Sequence, residues 1–170
     1  GRRNSFDYVK AQADRCRDCY DPQCREGCPA GVDIPAFVRA LADGDIRRSY
    51  EVLSSCNPLP EVCGLVCPAE GQGCCIENTF SETPVPIADL QAWVSRAARE
   101  RGMTSISPDI RSTGKKVAVV GSGPAGLACA AVLVRKGHRV DVFDPCGRPG
   151  GVAGESIPEK RLGVGEFKAE

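Results

Sequence analysis

"KKVAVVGSGPAGLACAAVLVRKGHRVDVFD", residues 115–144, is a short apolar run, a glycine turn, an amphipathic stretch and a second alternating apolar run. That order reads as strand, helix, strand. Gly121, Gly123 and Gly126 form G-x-G-x-x-G directly after the first strand, and Asp144 closes the second strand 18 residues after Gly126. Each glycine has its own reason. Gly121 permits the tight turn, Gly123 lets backbone approach a pyrophosphate, and Gly126 lets helix and strand pack closely. The helix N-terminus then faces phosphate, and Asp144 can accept from ribose hydroxyls. The stretch predicts dinucleotide binding, with a tight turn in another α/β fold as the competing reading. The glycine pattern alone does not separate FAD from NAD(P). The continuation "PCGRPGGVAGESIPEKRL" (145–162) brings a second glycine pair, Gly150 and Gly151. Arg148 and Arg161 are candidate phosphate or flavin contacts, or else ordinary solvated loop arginines.

Composition bounds the remainder. The chain has 170 residues, room for one domain or two small ones. Lys plus Arg and Asp plus Glu are both 22, so overall charge favours neither nucleic acid nor an anionic membrane. Apolar residues are 42%, enough for a core, while aromatics are only 5%. No run approaches the roughly 18 apolar residues of a membrane span, and no signal-peptide pattern is present. The first residue is Gly1 rather than Met, so a processed chain or a piece of a longer one is expected.

Eleven cysteines are the other compositional signal. Their odd number and clustered spacing, beside a dinucleotide motif, favour a reducing cytoplasm and metal ligation over disulfides. Eight fall into two groups: "RCRDCYDPQCREGCP" (15–29) holds Cys16, Cys19, Cys24 and Cys28, and "EVCGLVCPAEGQGCC" (61–75) holds Cys63, Cys67, Cys74 and Cys75. Cys56 stands just before the second group, and Cys129 and Cys146 lie well beyond it. A cysteine-rich segment over residues 1–105 is therefore expected, then a Ser-, Pro- and Gly-bearing linker over 106–116, then the nucleotide-binding segment over 117–170.

The cysteine-rich segment reads as helical. Asp33 caps a helix with Ile34, Phe37, Val38 and Leu41 on one face, closed by Gly44. Asp45 caps another with Ile46, Tyr50 and Leu53 facing inward. A third runs from about Pro86 to Arg101, with Ile87, Leu90, Val94 and Ala97 at helical spacing. No strand is predicted before residue 116.

The first cysteine group has spacing C-x2-C-x4-C-x3-C-P. Ferredoxin-type iron–sulfur segments use a similar run, whose fourth cysteine serves the other cluster. A cubane needs one ligand on each iron, so a short loop wraps three corners and the fourth ligand comes from elsewhere. Zinc is the competitor, but structural zinc prefers paired C-x2-C hooks and often His. The only histidine is His138, far away before the second strand, and the second cysteine group has no C-x2-C.

Taken together, "RCRDCYDPQCREGCPAGVDIPAFVRAL", "NPLPEVCGLVCP" and "GSGPAG…GRPGG…SIPEKRL" resemble the small (β) subunit of glutamate synthase and the N-terminal part of dihydropyrimidine dehydrogenase. The resemblance covers nearly all of the chain from about residue 7. It implies a mixed architecture: an N-terminal all-α iron–sulfur (alpha-helical ferredoxin) domain with two [4Fe-4S] clusters, followed by the first βαβ part of a Rossmann-like α/β FAD-binding domain. It implies NAD(P)H as the electron source, bound by a later domain.

The resemblance also implies ligands. Cys16, Cys19, Cys24 and Cys75 match the first cluster. Cys28, Cys67 and a cysteine near 74 match the second, whose fourth ligand is a glutamine in dihydropyrimidine dehydrogenase, here Gln91. The family usually separates the last two cysteines by a few residues, whereas Cys74 and Cys75 are adjacent. This shortening puts Cys74 in question, and Cys63 is the natural substitute if the loop rearranges. Otherwise Cys63 and Cys56 read as packed thiols, and Cys129 as helix core. On the nucleotide side the implied contacts are Gly121, Ser122, Gly123, Pro124, Ala125, Gly126, Asp144, Arg148, Gly150, Gly151, Val152 and Arg161. No general acid, base or nucleophile is expected. The implied role is a cytoplasmic electron-transfer component that works with a catalytic oxidoreductase subunit or domain in a hetero-oligomer. The alternative is a zinc-stabilised interaction module attached to a nucleotide-binding domain.

Overall fold

A computed structural model describes residues 5–103 and 109–162. The linker expected over 106–116 lies partly outside them, as do residues 1–4 and 163–170. The chain divides into two compact units, Gly1–Met103 and Thr104–Glu170.

The first unit is helical throughout its described residues: α1 (Phe6–Ala13), α2 (Gln23–Glu26), α3 (Ile34–Ala42), α4 (Ile46–Cys56), α5 (Pro60–Val66), α6 (Glu70–Gly73), α7 (Glu77–Ser81) and α8 (Ile87–Glu100). The expected caps start two of them. Asp33 accepts from the Ala36 amide at 3.2 Å, and Asp45 accepts from the Arg48 amide at 2.9 Å. Between them Gly44 takes φ +82°, the left-handed turn that ends α3. The long helix α8 follows Pro86, as its apolar spacing predicts.

Few aromatics mean that aliphatic side chains build the core. Phe37, Val38 and Leu41 of α3 meet Leu53 of α4 and Leu90 and Val94 of α8, all essentially without solvent exposure. Each such side chain contributes about 1.5–3 kcal/mol on burial. Ser49, fully buried on α4, donates to the Phe37 carbonyl at 2.8 Å and so satisfies its hydroxyl while joining α3 to α4. Cys16, Cys24, Cys28 and Cys75 pack against this core from its edge.

The second unit is the expected strand–helix–strand. Strands β1 (Lys116–Val120) and β2 (Arg139–Phe143) pair in parallel, Lys116 opposite Arg139 and Val120 opposite Phe143. The crossover is α9 (Pro124–Arg135), and the short α10 (Gly151–Ser156) follows. Cys129 departs from expectation. It is exposed rather than core, because two strands cover only one side of α9 and no residue of that helix is fully buried.

No helix among the described residues is long and apolar enough to cross a membrane.

Candidate metal and nucleotide sites

All eleven cysteines are free thiols. Eight of them gather around two separate cavities of the helical unit.

The first cavity, about 150 Å³, is lined by Cys16, Cys19, Cys24, Cys74 and Cys75. Its loop is shaped locally. Asp18 adopts φ +50° between Cys16 and Cys19, a left-handed conformation that aspartate tolerates. Arg39 of α3 donates to the Asp18 carboxylate at 2.7 Å, which anchors the turn. Cys24 comes from the short helix α2, and Cys75 follows α6 from a distant part of the chain.

Electrostatics bind four of these thiols into one group. Burial pushes the Cys24 thiol up to about 11, reinforced by the nearby Cys16, Cys75 and Cys19 sulfurs. Cys16 is raised by the same causes, burial first, with Cys19 and Cys75 adding to it. Four thiolates in one pocket repel each other unless positive charge sits among them, and a bound metal deprotonates such thiols outright.

Sequence reasoning missed the charged wall of this cavity. Glu77, almost wholly buried, takes the Arg17 guanidinium on Oε1 and the Ser81 hydroxyl on Oε2 at 3.0 Å. Its carboxyl lies below the usual range, the Arg17 hydrogen bond being the main cause. Arg17 also lies 4.2 Å above the Phe80 ring. Arg17 is 60 or more positions from Glu77 and Phe80, so no local pattern announces the pairing.

The second cavity, about 250 Å³, is lined by Cys28, Cys63, Cys67 and Gln91. Its rear wall is the crossing of α5 and α8. Gly64 permits that crossing, because a Cβ there would stand 2.6 Å from the Ala92 nitrogen and 2.9 Å from the Ala88 carbonyl oxygen. Glu61, 2% exposed, locks it by accepting from Arg96 at 3.1 Å and from Arg99 at 3.1 and 3.2 Å. Gln91 leans inward as its spacing predicts and is 8% exposed. Its amide nitrogen donates to the Pro60 carbonyl at 2.9 Å. That bond assigns the amide's two ends, since a carbonyl only accepts, and leaves the oxygen as the donor atom for a metal. Cys67 caps α5, and its sulfur accepts from the Ala69 amide at 3.3 Å. Cys74 is exposed and belongs to the first cavity, with its sulfur packed toward Gly27.

The walls of the two cavities meet where α6 packs on Cys24. Gly71 of α6 lines the second, and a Cβ on it would stand 2.7 Å from the Cys24 carbonyl oxygen, beside the first.

Among the described residues, no three His, Cys, Asp or Glu side chains are arranged to hold a single metal ion. One tetrahedral zinc with Zn–S bonds near 2.3 Å would draw its sulfurs to within about 3.8 Å of each other. A cubane asks for something else, one thiolate on each of four irons and therefore a wider set. Half-buried cysteines set around a cavity fit that requirement.

A family comparison decides the assignment. The family model for dihydropyrimidine dehydrogenase domain II, 4Fe-4S cluster, matches residues 3–103. The chain belongs to this family. A second model, an NAD(P)-binding Rossmann-like domain, matches residues 119–164. Relatives agree. The chain is 40% identical over 158 residues to the glutamate synthase [NADPH] small chain of Escherichia coli K12, covering 91% of this chain and 33% of that one. It is 38% identical over 154 residues to the small chain of Mycobacterium tuberculosis H37Rv, covering 91% and 31%. It is 38% identical over 156 residues to the glutamate synthase [NADH] of Saccharomyces cerevisiae, covering 91% and 7%. The chain thus spans about a third of the length of its bacterial relatives. Within this family the cysteine-rich unit is an iron–sulfur domain, and the second unit is the start of a Rossmann-like nucleotide-binding domain.

That start has the expected loop geometry. Gly121 takes φ +97°, and its amide donates to the Phe143 carbonyl at 2.8 Å. A Cβ on Gly126 would stand 2.0 Å from the Gly121 carbonyl oxygen, so the helix packs on the turn as closely as expected. Nothing lies within 4 Å of the corresponding position on Gly123, the open side from which a phosphate can approach. Pro124 occupies the first turn of α9, and no side chain caps its amides. Ser122 donates its hydroxyl to the Arg148 carbonyl at 3.3 Å, and its own carbonyl accepts from the Gly150 amide at 2.8 Å. A Cβ on Gly151 would stand 3.1 Å from the Gly123 Cα, so the two loops lie close together. The second glycine pair therefore braces the first. Asp144 is also committed locally: Oδ2 accepts from the Ser122 amide at 2.7 Å and Oδ1 from the Cys146 amide at 2.8 Å. These bonds hold its carboxyl below the usual range, that from Ser122 foremost. Arg148 pairs with Glu155 at 3.4 Å, and Arg161 and Val152 are exposed.

Proposed function

We propose that this chain is the electron-transfer part of a glutamate synthase small-chain-like oxidoreductase. Two [4Fe-4S] clusters lie in residues 1–105, and residues 117–170 open an FAD domain. When bound, the clusters and flavin supply stepwise electron relay between NAD(P)H and the active site of a partner subunit or domain. The observation that carries the reading is the pair of cysteine-lined cavities in one helical unit.

The chain's own residues do the rest. Cys16, Cys19, Cys24 and Cys75 ligate the first cluster. Cys28, Cys67 and the Gln91 oxygen ligate the second. The core helices back both cavities, and the Ala69 amide donates to the Cys67 sulfur. Gly121, Gly123 and the first turn of α9 receive the dinucleotide phosphates, while Asp144 holds the loop. Two units of one chain would then serve as consecutive stations, and the partner as the last. Both NADPH and NADH occur in the names of the relatives, so the reading commits to a nicotinamide and not to its phosphate. A hetero-oligomer in the cytoplasm follows from the same reading.

Anaerobic purification of the full-length protein tests it. About eight irons with matching acid-labile sulfide are expected for two cubanes, together with bound FAD. Stoichiometric zinc without sulfide would replace this reading with a zinc-stabilised docking module.

A further inference from the structure

We propose that Cys63, in place of Cys74, provides the third thiolate of the second cluster, alongside Cys28, Cys67 and the Gln91 amide oxygen. The inference rests on the two-cluster reading above and concerns which side chains complete it.

Helical register is the first argument. The Cys67 amide donates to the Cys63 carbonyl at 2.9 Å, the bond that closes one turn of α5. Residues so related stack on one face of a helix. Both therefore present to the same space, and both line the 250 Å³ cavity that Cys28 and Gln91 also line.

Cys74 is the second argument. It is exposed, follows α6, and lines the cavity of Cys16, Cys19, Cys24 and Cys75. A Cβ on Gly27 would meet its sulfur at 3.1 Å, so it lies beside the α2 backbone. In that place it is a fifth thiol around a site that already has four.

Counting donors is the third. A cubane takes one donor on each of its four irons. Three sulfurs line the second cavity, and without Cys63 only two thiolates, Cys28 and Cys67, would join the Gln91 oxygen.

The same helix is held firmly enough to aim a ligand. Gly64 seats α5 on α8, and Glu61 ties it to Arg96 and Arg99. Cys63 and Gln91 are thereby fixed on the two helices of one crossing. As a thiol, Cys63 donates to Asn57 Oδ1 at 3.6 Å, a long bond. Ligation forms the iron–sulfur bond and releases that proton to solvent.

Two measurements on the full-length, anaerobically purified protein test the assignment. Iodoacetamide labelling followed by peptide mass mapping should leave Cys63 unmodified and label Cys74 before the clusters are removed, then label both afterwards. Cys63→Ser should lower iron and sulfide from about eight to about four per chain, with the first cluster's electron paramagnetic resonance signal retained, while Cys74→Ser keeps about eight. Loss of half the iron in Cys74→Ser, or full iron in Cys63→Ser, overturns the assignment. If Cys63→Ser does not fold, Cys74→Ser decides alone: full iron supports Cys63 and half iron refutes it. Parent protein without iron and sulfide would refute the two-cluster reading itself, a distinct result.

Discussion

Gly64 lies directly against Ala92: a Cβ on the glycine would stand 2.6 Å from the alanine's backbone nitrogen and 2.9 Å from its methyl carbon. Neither helix can yield there by turning a side chain. Gly64→Ala must push α5 away from α8, and such overpacking costs about 1–3 kcal/mol. A lowered urea midpoint is the expected result. An unchanged midpoint would mean that the crossing is looser than it is drawn.

Glu61 makes the complementary prediction on the same crossing. Its carboxylate is buried, while the side chains of Arg96 and Arg99 keep more than a third of their exposure. Glu61→Gln retains shape but loses the charge that both guanidiniums share. Hydrogen bonds to charged groups are worth about 1.5–3 kcal/mol, so a loss in that range is expected in chemical denaturation. Glu61→Ala should cost more, because it also leaves two like charges facing a cavity.

Gln91 links stability to cofactor content. Gln91→Leu removes the donor to the Pro60 carbonyl and, on the proposed reading, the oxygen ligand. About 1 kcal/mol of stability should go with the hydrogen bond. Iron should fall from about eight to about four per chain, with the first cluster unaffected. Retention of all iron would return Gln91 to a purely structural role.

Asp144 carries a pH dependence. Its folded carboxyl is held low by the Ser122 and Cys146 amides. The unfolded value is near 3.9. A depressed folded value means that its stabilisation is complete above the unfolded value and is lost as pH falls through the folded one. The Ser122 and Cys146 amides should therefore gain hydrogen-exchange rate only below about pH 4. Asp144→Asn should speed exchange at those two amides at neutral pH as well. Protection unchanged by that substitution would show that the glycine turn holds itself.

Local signals were legible where the chemistry is local. Asp33 and Asp45 announce α3 and α4 because an aspartate at a helix start accepts an amide three residues on, and that needs no other part of the chain. Gly121, Gly123 and Gly126 announce the turn for the same kind of reason. The helix α5 was not foreseen. Its seven residues include a proline, a cysteine and a glycine, and it is stable because Gly64, Glu61 and Val62 pack on α8. That Cys16, Cys19, Cys24 and Cys75 gather at one cavity could be expected from spacing together with family resemblance. The place of Cys74 could not, since whether a cysteine faces one cavity or the other depends on how α6 sits against α2. Cys129 shows the converse error: an apolar helix sequence suggested burial, and the two-stranded sheet leaves that face open.

Gly71 has a consequence for the passage of charge. It lines the second thiol-lined chamber, and it has no side chain because the carbonyl of Cys24, which lines the first, occupies that space. Electron tunnelling weakens exponentially with the gap to be crossed. In a chain that carries electrons from one chamber to the other, a side chain at this place would force α6 away from Cys24 and lengthen that gap.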